Sequence, residues 1–185
     1  NKGTFGHVLV VGGSYGKADA PAMTSLASLR AGAGLVTAAV PTSVLDTVAH
    51  LAPELMTIPL SEGPMGAVSF KSLLGGKLDT LLKRITVVAV GPGLSTEGDA
   101  PAFARQVVEK TTVPVVVDAD ALNAFTGKTE LLDGSGSVMV LTPHPGEMAR
   151  LVGLTVQEVE ADRIGIARRF AVQHKLILVL KGWRT

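Results

Sequence analysis

Short runs of apolar, mostly β-branched residues recur along the chain and alternate with segments whose apolar residues are spaced as on one face of a helix. Unbroken apolar runs are typical of strands that are buried on both faces. Strands are predicted at residues 7–11, 35–40, 55–58, 86–90, 113–117, 137–141 and 176–180. Helices are predicted at residues 21–31, 42–51, 99–110, in the second half of 69–84, and from residue 155 onwards. This succession predicts an α/β fold with a mainly parallel central sheet and helices on both faces.

Local signals mark where two of these helices begin. Asp99 is placed to cap the helix at 99–110, with Pro101 just inside it. Thr155 and Glu158 have the spacing of a capping box and open the last helix. An apolar stripe on that same helix is formed by Ile166, Ala167, Phe170 and Ala171.

The composition is that of a compact domain. Hydrophobic residues make up 46% of the 185 residues and charged residues 18%, with 21 glycines for tight turns. The length fits a single domain over residues 1–185. The chain opens on Asn1 rather than on Met and stops abruptly at Thr185, so we expect both ends to be cut points and the domain to be incomplete at its C-terminus.

The charge balance excludes several classes of partner. The 17 basic and 16 acidic residues leave a net charge of +1, so the chain lacks the excess of positive charge that binds nucleic acid or anionic lipid. The apolar runs are far shorter than the roughly 20 residues that a membrane span needs. The absence of cysteine excludes disulfides and thiolate metal sites and fits a cytoplasmic protein.

Candidate chemistry lies where the predicted strands end. Ligands of open parallel sheets bind at the carboxyl ends of the strands, so these ends are expected to form a single cleft. The five polar or turn-forming ends are Gly12-Gly13-Ser14, Gly91-Pro92-Gly93-Leu94, Asp118-Ala119-Asp120, Thr142-Pro143-His144-Pro145-Gly146-Glu147 and Lys181-Gly182-Trp183-Arg184-Thr185.

The glycines at the first two ends fit two interpretations. Gly12, Gly13 and Gly16 match neither the GxGxxG fingerprint nor a P-loop, so they form either a tight turn or a loop that faces phosphate. Gly91 and Gly93 let the backbone approach a ligand closely, although such a loop is more often only a turn.

The charged residues at the other ends leave alternatives open as well. Asp118 and Asp120 are spaced to hold Mg²⁺ through waters, or else Asp120 caps a short helix at 121–125. His144 and Glu147 lie in a proline-stiffened loop that suits presentation of a side chain, or else Glu147 lies in the first turn of a helix. Lys181 places a charge against phosphate or is a solvated surface charge.

Taken together and in order, segments along nearly the whole chain resemble the NAD(P)H-hydrate dehydratase family of carbohydrate-kinase-like domains. Each segment alone is weak evidence for this family, whereas the order and spacing of all the segments together are specific to it. The segments are Lys2-Gly3-Thr4-Phe5-Gly6-His7 followed by Gly12-Gly13-Ser14, Ala20-Pro21, Leu29-Arg30-Ala31-Gly32-Ala33-Gly34-Leu35-Val36, Pro53-Glu54-Leu55-Met56, Gly91-Pro92-Gly93-Leu94, Asp118-Ala119-Asp120-Ala121-Leu122-Asn123, Thr142-Pro143-His144-Pro145-Gly146-Glu147-Met148, and Lys181-Gly182 with Thr185.

The resemblance implies a ribokinase-like fold and the dehydration of hydrated NADH and NADPH back to the reduced cofactors, with ADP or ATP and Mg²⁺. It implies that Ala20, Gly93, His144 and Glu147 contact the substrate, the last two in a pattern similar to the Asn-x-x-Glu motif of ribokinase relatives. The implied contacts of the nucleotide are Lys181, Gly182, Trp183, Arg184 and Thr185. No metal ligand is assigned. A homo-oligomer is expected, and an NAD(P)H-hydrate epimerase as a fused or paired partner.

One part of the family pattern is expected after Thr185. The family's glycine-rich loop, which carries its catalytic Asp, follows some tens of residues after the motif that resembles Lys181-Gly182, so residues 1–185 alone are expected to be inactive. Two other functions remain open on the sequence. One is a small-molecule kinase of the same superfamily, of the hydroxymethylpyrimidine or thiazole type, and the other is a nucleotide-binding module without catalysis.

Overall fold

The computed structural model describes residues 2–183 and 185, and in them seven strands form one parallel sheet in the order β3-β2-β1-β4-β5-β6-β7. This confirms the predicted α/β class with a parallel sheet. The strands are β1 (His7–Val11), β2 (Leu35–Pro41), β3 (Met56–Leu60), β4 (Val87–Val90), β5 (Val115–Val117), β6 (Met139–Leu141) and β7 (Ile177–Leu178).

The connections between the strands are helical, as parallel pairing requires. Within the described residues, no helix has the length and apolarity needed to cross a bilayer. The helices are α1 (Asp19–Arg30), α2 (Thr42–Leu51), α3 (Lys77–Leu82), α4 (Ala100–Lys110), α5 (Asp120–Asn123), α6 (Pro145–Val152), α7 (Val156–Ala161) and α8 (Arg163–Gln173).

Both faces of β2 are buried, and they belong to different parts of the core. Ala38 and Val40 pack with apolar side chains of α1 and α2. Ala39, between them, belongs to the larger core cluster, which includes Phe103 of α4 and Phe170 of α8. Because successive strand residues point to opposite faces, helices cover the sheet on both sides. This explains why β2 reads as an unbroken apolar run.

The region predicted as one helix from residue 155 is two helices, so that prediction was wrong. The capping box of Thr155 and Glu158 is present and begins α7. The chain then leaves helical geometry at Asp162, whose φ is −139° and ψ 54°. The Asp162 carboxylate accepts a hydrogen bond from the Gly165 amide and caps α8, which carries the buried Ile166 and Phe170. Asp162 is an N-cap type of residue that the apolar spacing concealed.

One smaller prediction also needs correction, and another is confirmed. Asp99 precedes α4 as predicted, but its carboxylate makes no bond to that helix and accepts instead from the Ser69 hydroxyl and the Phe70 amide. The helix predicted in the second half of 69–84 is confirmed as α3, and the preceding segment Phe70–Gly76 is a broken 3₁₀ helix with Gly75 at φ 71°. Tertiary hydrogen bonds and glycine geometry override local propensity at these places.

Candidate functional site

The sheet order brings the five predicted ends together at one edge. β1, β4, β5, β6 and β7 are consecutive neighbours and all parallel, so their carboxyl ends form one row. The chain moves outward in opposite directions from β1 and β4, which makes the gap between them the topological switch point where such sheets bind ligands. We call residues 12–20 and 91–95 the glycine-rich half of this edge. The charged half consists of Asp118, His144, Glu147, Lys181 and Gly182.

The glycine-rich half is held by backbone lying against backbone. A Cβ on Gly12 would overlap the Pro92 carbonyl oxygen, and one on Gly91, at φ 121°, would overlap that of Asp118. The Gly13 amide donates to the Pro92 carbonyl at 2.8 Å, and the Gly12 amide donates to Ala39 at 3.2 Å. Because both amides donate to protein carbonyls, they are not available to bind phosphate. This favours the tight-turn interpretation of Gly12 and Gly13 over a loop whose amides face phosphate.

Two of the predicted substrate-binding residues, Ala20 and Gly93, lie together. The Cβ of Ala20 is 3.3 Å from where a Cβ on Gly93 would stand, and the Lys17 carbonyl oxygen is 2.9 Å from the same point. The Ser14 hydroxyl donates to the Gly93 carbonyl at 2.8 Å. Gly93 has φ 66°, so both its conformation and its surroundings suit glycine.

Asp120 connects the two halves and does not cap α5 as the alternative prediction had it. Its carboxylate accepts from the Ser95 amide at 2.9 Å and lies 3.4 Å from the Lys17 ammonium. It occupies the first turn of α5, after Ala119 at φ 50°. The carboxylate therefore holds together loops that follow three different strands.

In the charged half, His144 is the N-cap of α6. Its Nδ1 accepts from the Gly146 amide at 3.0 Å and from the Glu147 amide at 3.4 Å. A neutral ring in this arrangement carries its proton on Nε2. That atom lies 3.4 Å from Glu147 Oε1. The ring is half exposed, so His144 caps the helix while its outer side faces solvent.

Glu147 completes this capping box from the buried side. Only 5% of the residue is exposed, and its Oε2 accepts from the His144 amide at 2.8 Å. The alternative prediction that Glu147 lies in the first turn of a helix is confirmed. The contact of either residue with a substrate stays a prediction.

Lys181 joins the ends of β5, β6 and β7. Its ammonium is 2.7 Å from Asp118 Oδ1 and 3.9 Å from Glu147 Oε2, and its amide donates to the Pro143 carbonyl at 2.9 Å. The two aspartates considered for Mg²⁺ thus pair with different lysines, Asp118 with Lys181 and Asp120 with Lys17. Among residues 2–183 and 185, no group of three His, Asp or Glu side chains is placed to hold a metal ion.

Gly182, Trp183 and Thr185 of the predicted nucleotide segment are exposed to solvent. Trp183 is 88% exposed, and the Thr185 hydroxyl donates to the Gly182 carbonyl at 3.0 Å. Arg184 lies outside the described residues. Gly182 packs against the guanidinium of Arg163, which donates to the carbonyls of Leu180 and Lys181.

Sequence reasoning missed Lys17, Ser95 and Arg163 as members of this edge. Lys17 follows Gly16 near the end of β1, so its position pointed to the edge, although its partner was not visible. Ser95 contributes a backbone amide, and Arg163 comes from a helix start 18 residues before Lys181. Neither has a local sequence signal.

Solved structures with this arrangement define the fold class. A ribokinase-like superfamily protein from Enterococcus faecalis matches 98% of this chain and 59% of its own, with a TM-score of 0.80 and 23% identity. The ADP/ATP-dependent NAD(P)H-hydrate dehydratase from Bacillus subtilis, co-crystallised with ATP/Mg²⁺, matches 98% of this chain and 60% of its own, with a TM-score of 0.73 and 25% identity. The fold is therefore ribokinase-like, as the resemblance implied.

Sequence comparison identifies the family within that class. The family model described as NAD(P)H-hydrate dehydratase (Carb_kinase) matches residues 8–185, and the chain belongs to this family. It is 46% identical over 188 aligned residues to a bifunctional NAD(P)H-hydrate repair enzyme of Moorella thermoacetica, covering all of this chain and 34% of the relative. It is 36% identical to an ADP-dependent (S)-NAD(P)H-hydrate dehydratase of Neisseria meningitidis, covering all of this chain and 58% of the relative. The chain thus spans between a third and three fifths of these relatives.

Proposed function

We propose that the protein that contains this chain restores hydrated NADH and NADPH to NADH and NADPH in a nucleotide-dependent dehydration. The observation that carries this proposal is family membership over residues 8–185, and it is supported by one row of five strand ends, at which Gly93, His144, Glu147 and Lys181 lie. The similar proteins of Neisseria meningitidis and Bacillus subtilis are named for this activity.

In the proposed chemistry, ADP or ATP transfers its terminal phosphoryl group to the hydroxyl of the hydrated ring. The C–O bond then breaks, a neighbouring carbon loses a proton, and inorganic phosphate leaves as the double bond returns. Phosphorylation converts a poor leaving group into a good one. The transfer needs cationic groups near the phosphates and a base near the hydroxyl.

For the nucleotide we propose the segment at the end of β7, with Lys181 as the cation nearest the phosphates. Lys181 is already at the edge, where Asp118 at 2.7 Å and Glu147 at 3.9 Å partly neutralise it. For the substrate we propose contacts with Ala20, Gly93 and the half-exposed ring of His144. Mg²⁺ is expected to accompany the nucleotide, and no step is assigned to it because the described carboxylates at this edge are paired with lysines.

We propose that the base is not supplied by Asp118 or Asp120. Each already has a lysine partner, and Asp120 also accepts from the Ser95 amide. Cytoplasmic location, a homo-oligomer and an epimerase partner stay predictions.

The test is a repair assay on the full-length protein. Hydrated NADH is incubated with Mg²⁺ and with ADP or ATP, and the absorbance band of reduced nicotinamide and the release of inorganic phosphate are followed. Recovery of both in equal amounts is expected. A stable phosphoester without return of the band would identify a small-molecule kinase, and no reaction with either nucleotide would reject the proposal.

The substrate role of His144 is tested with two variants that separate capping from contact. Asn is a good N-cap residue, so His144→Asn should retain the stability of the protein, whereas His144→Ala should lose about 1 kcal/mol. Both should weaken binding of NADPH, used as a substrate mimic, by about tenfold, because a polar contact is lost. Unchanged affinity in folded His144→Asn would leave His144 with its capping role alone.

A further inference from the structure

Arg163, the first residue of α8, holds the backbone that follows β7. Its Nη2 donates to the carbonyl oxygen of Leu180 at 3.1 Å and to that of Lys181 at 3.0 Å. β7 is the outermost strand of the described sheet, so these carbonyls have no described strand beside them.

Gly182 lies against this same guanidinium, which fits there because glycine has no Cβ. An ideal Cβ on Gly182 would lie 2.6 Å from Nη2 and 2.9 Å from Nη1 of Arg163. Atoms do not approach that closely without displacement, so a side chain at position 182 must push the guanidinium aside. Gly182 therefore contacts the same guanidinium that donates to the two preceding carbonyls.

On its other side the segment is fixed to β6. The Val179 amide donates to the Leu141 carbonyl at 2.8 Å, and the Lys181 amide to that of Pro143 at 2.9 Å. Arg163 is in turn oriented by Glu160, which lies 3.0 Å from Nη1. The backbone of Lys181 is thus held from both sides, and its ammonium reaches Asp118 at 2.7 Å.

We propose that Arg163 is a positioning residue for nucleotide binding, which it supports by fixing the backbone of Lys181 and Gly182. This inference rests on the proposed function, in which Lys181 meets the phosphates. A planar guanidinium suits the task because its donors have a fixed geometry, whereas a lysine offers one flexible ammonium. Ordering the segment before binding removes an entropic cost from the binding step.

The first experiment compares Arg163→Ala with Arg169→Ala in the full-length protein. Arg169 lies on the same helix and pairs with Asp162 at the surface. Arg163→Ala should raise the nucleotide Kd or KM by about tenfold with a smaller change in kcat, since charged hydrogen bonds to the segment are lost. Arg163→Lys should recover part of the affinity, and Arg169→Ala should bind as the wild type does.

The second experiment is a double-mutant cycle with Gly182→Ala. This variant alone should weaken nucleotide binding, because the added methyl displaces the guanidinium. In the Arg163→Ala background the methyl has room, so the double variant should bind no worse than Arg163→Ala alone. Additive losses would show that Gly182 and Arg163 act separately and would overturn the proposal.

A readout independent of nucleotide is the fluorescence anisotropy of Trp183, the only tryptophan in the 185 residues. The signal is assigned by difference from Trp183→Phe, and a thermal melt checks folding. Lower anisotropy is expected in Arg163→Ala.

If the wild type binds neither ADP nor ATP, the proposed function fails, and the Trp183 signal decides alone whether Arg163 orders the segment. If folded Arg163→Ala binds nucleotide as the wild type does, the positioning role is rejected while the function stands.

Discussion

Around the ends of β1 and β4, the carboxyl edge of the sheet is held by backbone against backbone, whereas around the ends of β5, β6 and β7 it is held by charged side chains. In the glycine-rich half, Gly12 and Gly91 leave no room for a Cβ. In the charged half, Lys181 lies between Asp118 and Glu147. The first arrangement is steric, and at Gly12 and Gly91 it leaves no space for a side chain. The second is electrostatic and hydrogen-bonded, so it depends on the charge and the hydrogen-bonding groups of each side chain.

The largest effect is expected from Gly91→Ala in the glycine-rich half. The new methyl would overlap the Asp118 carbonyl oxygen at a φ of 121°, where residues with a Cβ are strained. The free energy of unfolding should fall by about 3 kcal/mol or more, or the variant should fail to fold. Urea unfolding measures this. Gly136→Ala is the control: its Cβ would meet no atom within 4 Å, so a change within about 0.5 kcal/mol is expected. Wild-type stability for Gly91→Ala would show that the two loops are not in contact.

A smaller effect is expected from Glu147→Ala in the charged half. The substitution leaves the His144 amide without its acceptor in a buried place, and the free energy of unfolding should fall by about 1–3 kcal/mol. The protein contains a matched control in Glu158, which forms the same type of capping box with Thr155 at the surface. Glu158→Ala should cost less, because water replaces the lost acceptor. Equal losses would mean that burial adds nothing to the box at His144.

The surface box also has its own pH response. Hydrogen bonds from the amide and the hydroxyl of Thr155 lower the pKa of Glu158 below its usual value of 4.5. A carboxyl whose pKa is lowered by folding stabilises the protein above its unfolded pKa, and that contribution is lost as the pH falls through the folded pKa. The difference in stability between wild type and Glu158→Ala should therefore shrink below pH 4.5.

The smallest effect concerns His7 at the amino end of β1, opposite the carboxyl edge that carries both halves of the site. Burial lowers the pKa of His7 from 6.5. The unfolded chain therefore takes up the proton first, and stability should decline as the pH falls below 6.5, until the folded pKa is reached. Urea unfolding at pH 8 and pH 5.5 should show a smaller difference in His7→Gln than in the wild type.

Thr37→Val separates the two possible causes of this shift. The His7 Nε2 lies 2.8 Å from the Thr37 hydroxyl, but burial is the cause of the lowered pKa. The pH dependence should therefore persist in Thr37→Val, which removes the hydroxyl and keeps the volume. Its disappearance there would assign the effect to the hydrogen bond.

The sequence predicted the fold well and the site in part. β1 and α2 have the predicted bounds because unbroken apolar runs and helical spacing are local properties. Predicted strand ends became neighbours because parallel sheets align them. The prediction of one continuous helix from residue 155 was wrong, because Asp162 caps a second helix although the apolar pattern continues on either side of it.

By itself, the sequence determined the five segments that lie at the carboxyl edge, since each follows an apolar run, but it missed Lys17, Ser95 and Arg163. It also indicated the glycines at the strand ends, but not that Gly12 and Gly91 lie against the carbonyl oxygens of other loops. Only the tertiary structure decided the partners: Asp118 with Lys181, Asp120 with Lys17 and Ser95, and Arg163 with Gly182. The physical reason is that separation along the chain and distance in space are different quantities. Burial and periodicity are encoded within a few residues, whereas an ion pair joins atoms a few ångströms apart whose residues stand 63 or 103 positions apart in the chain.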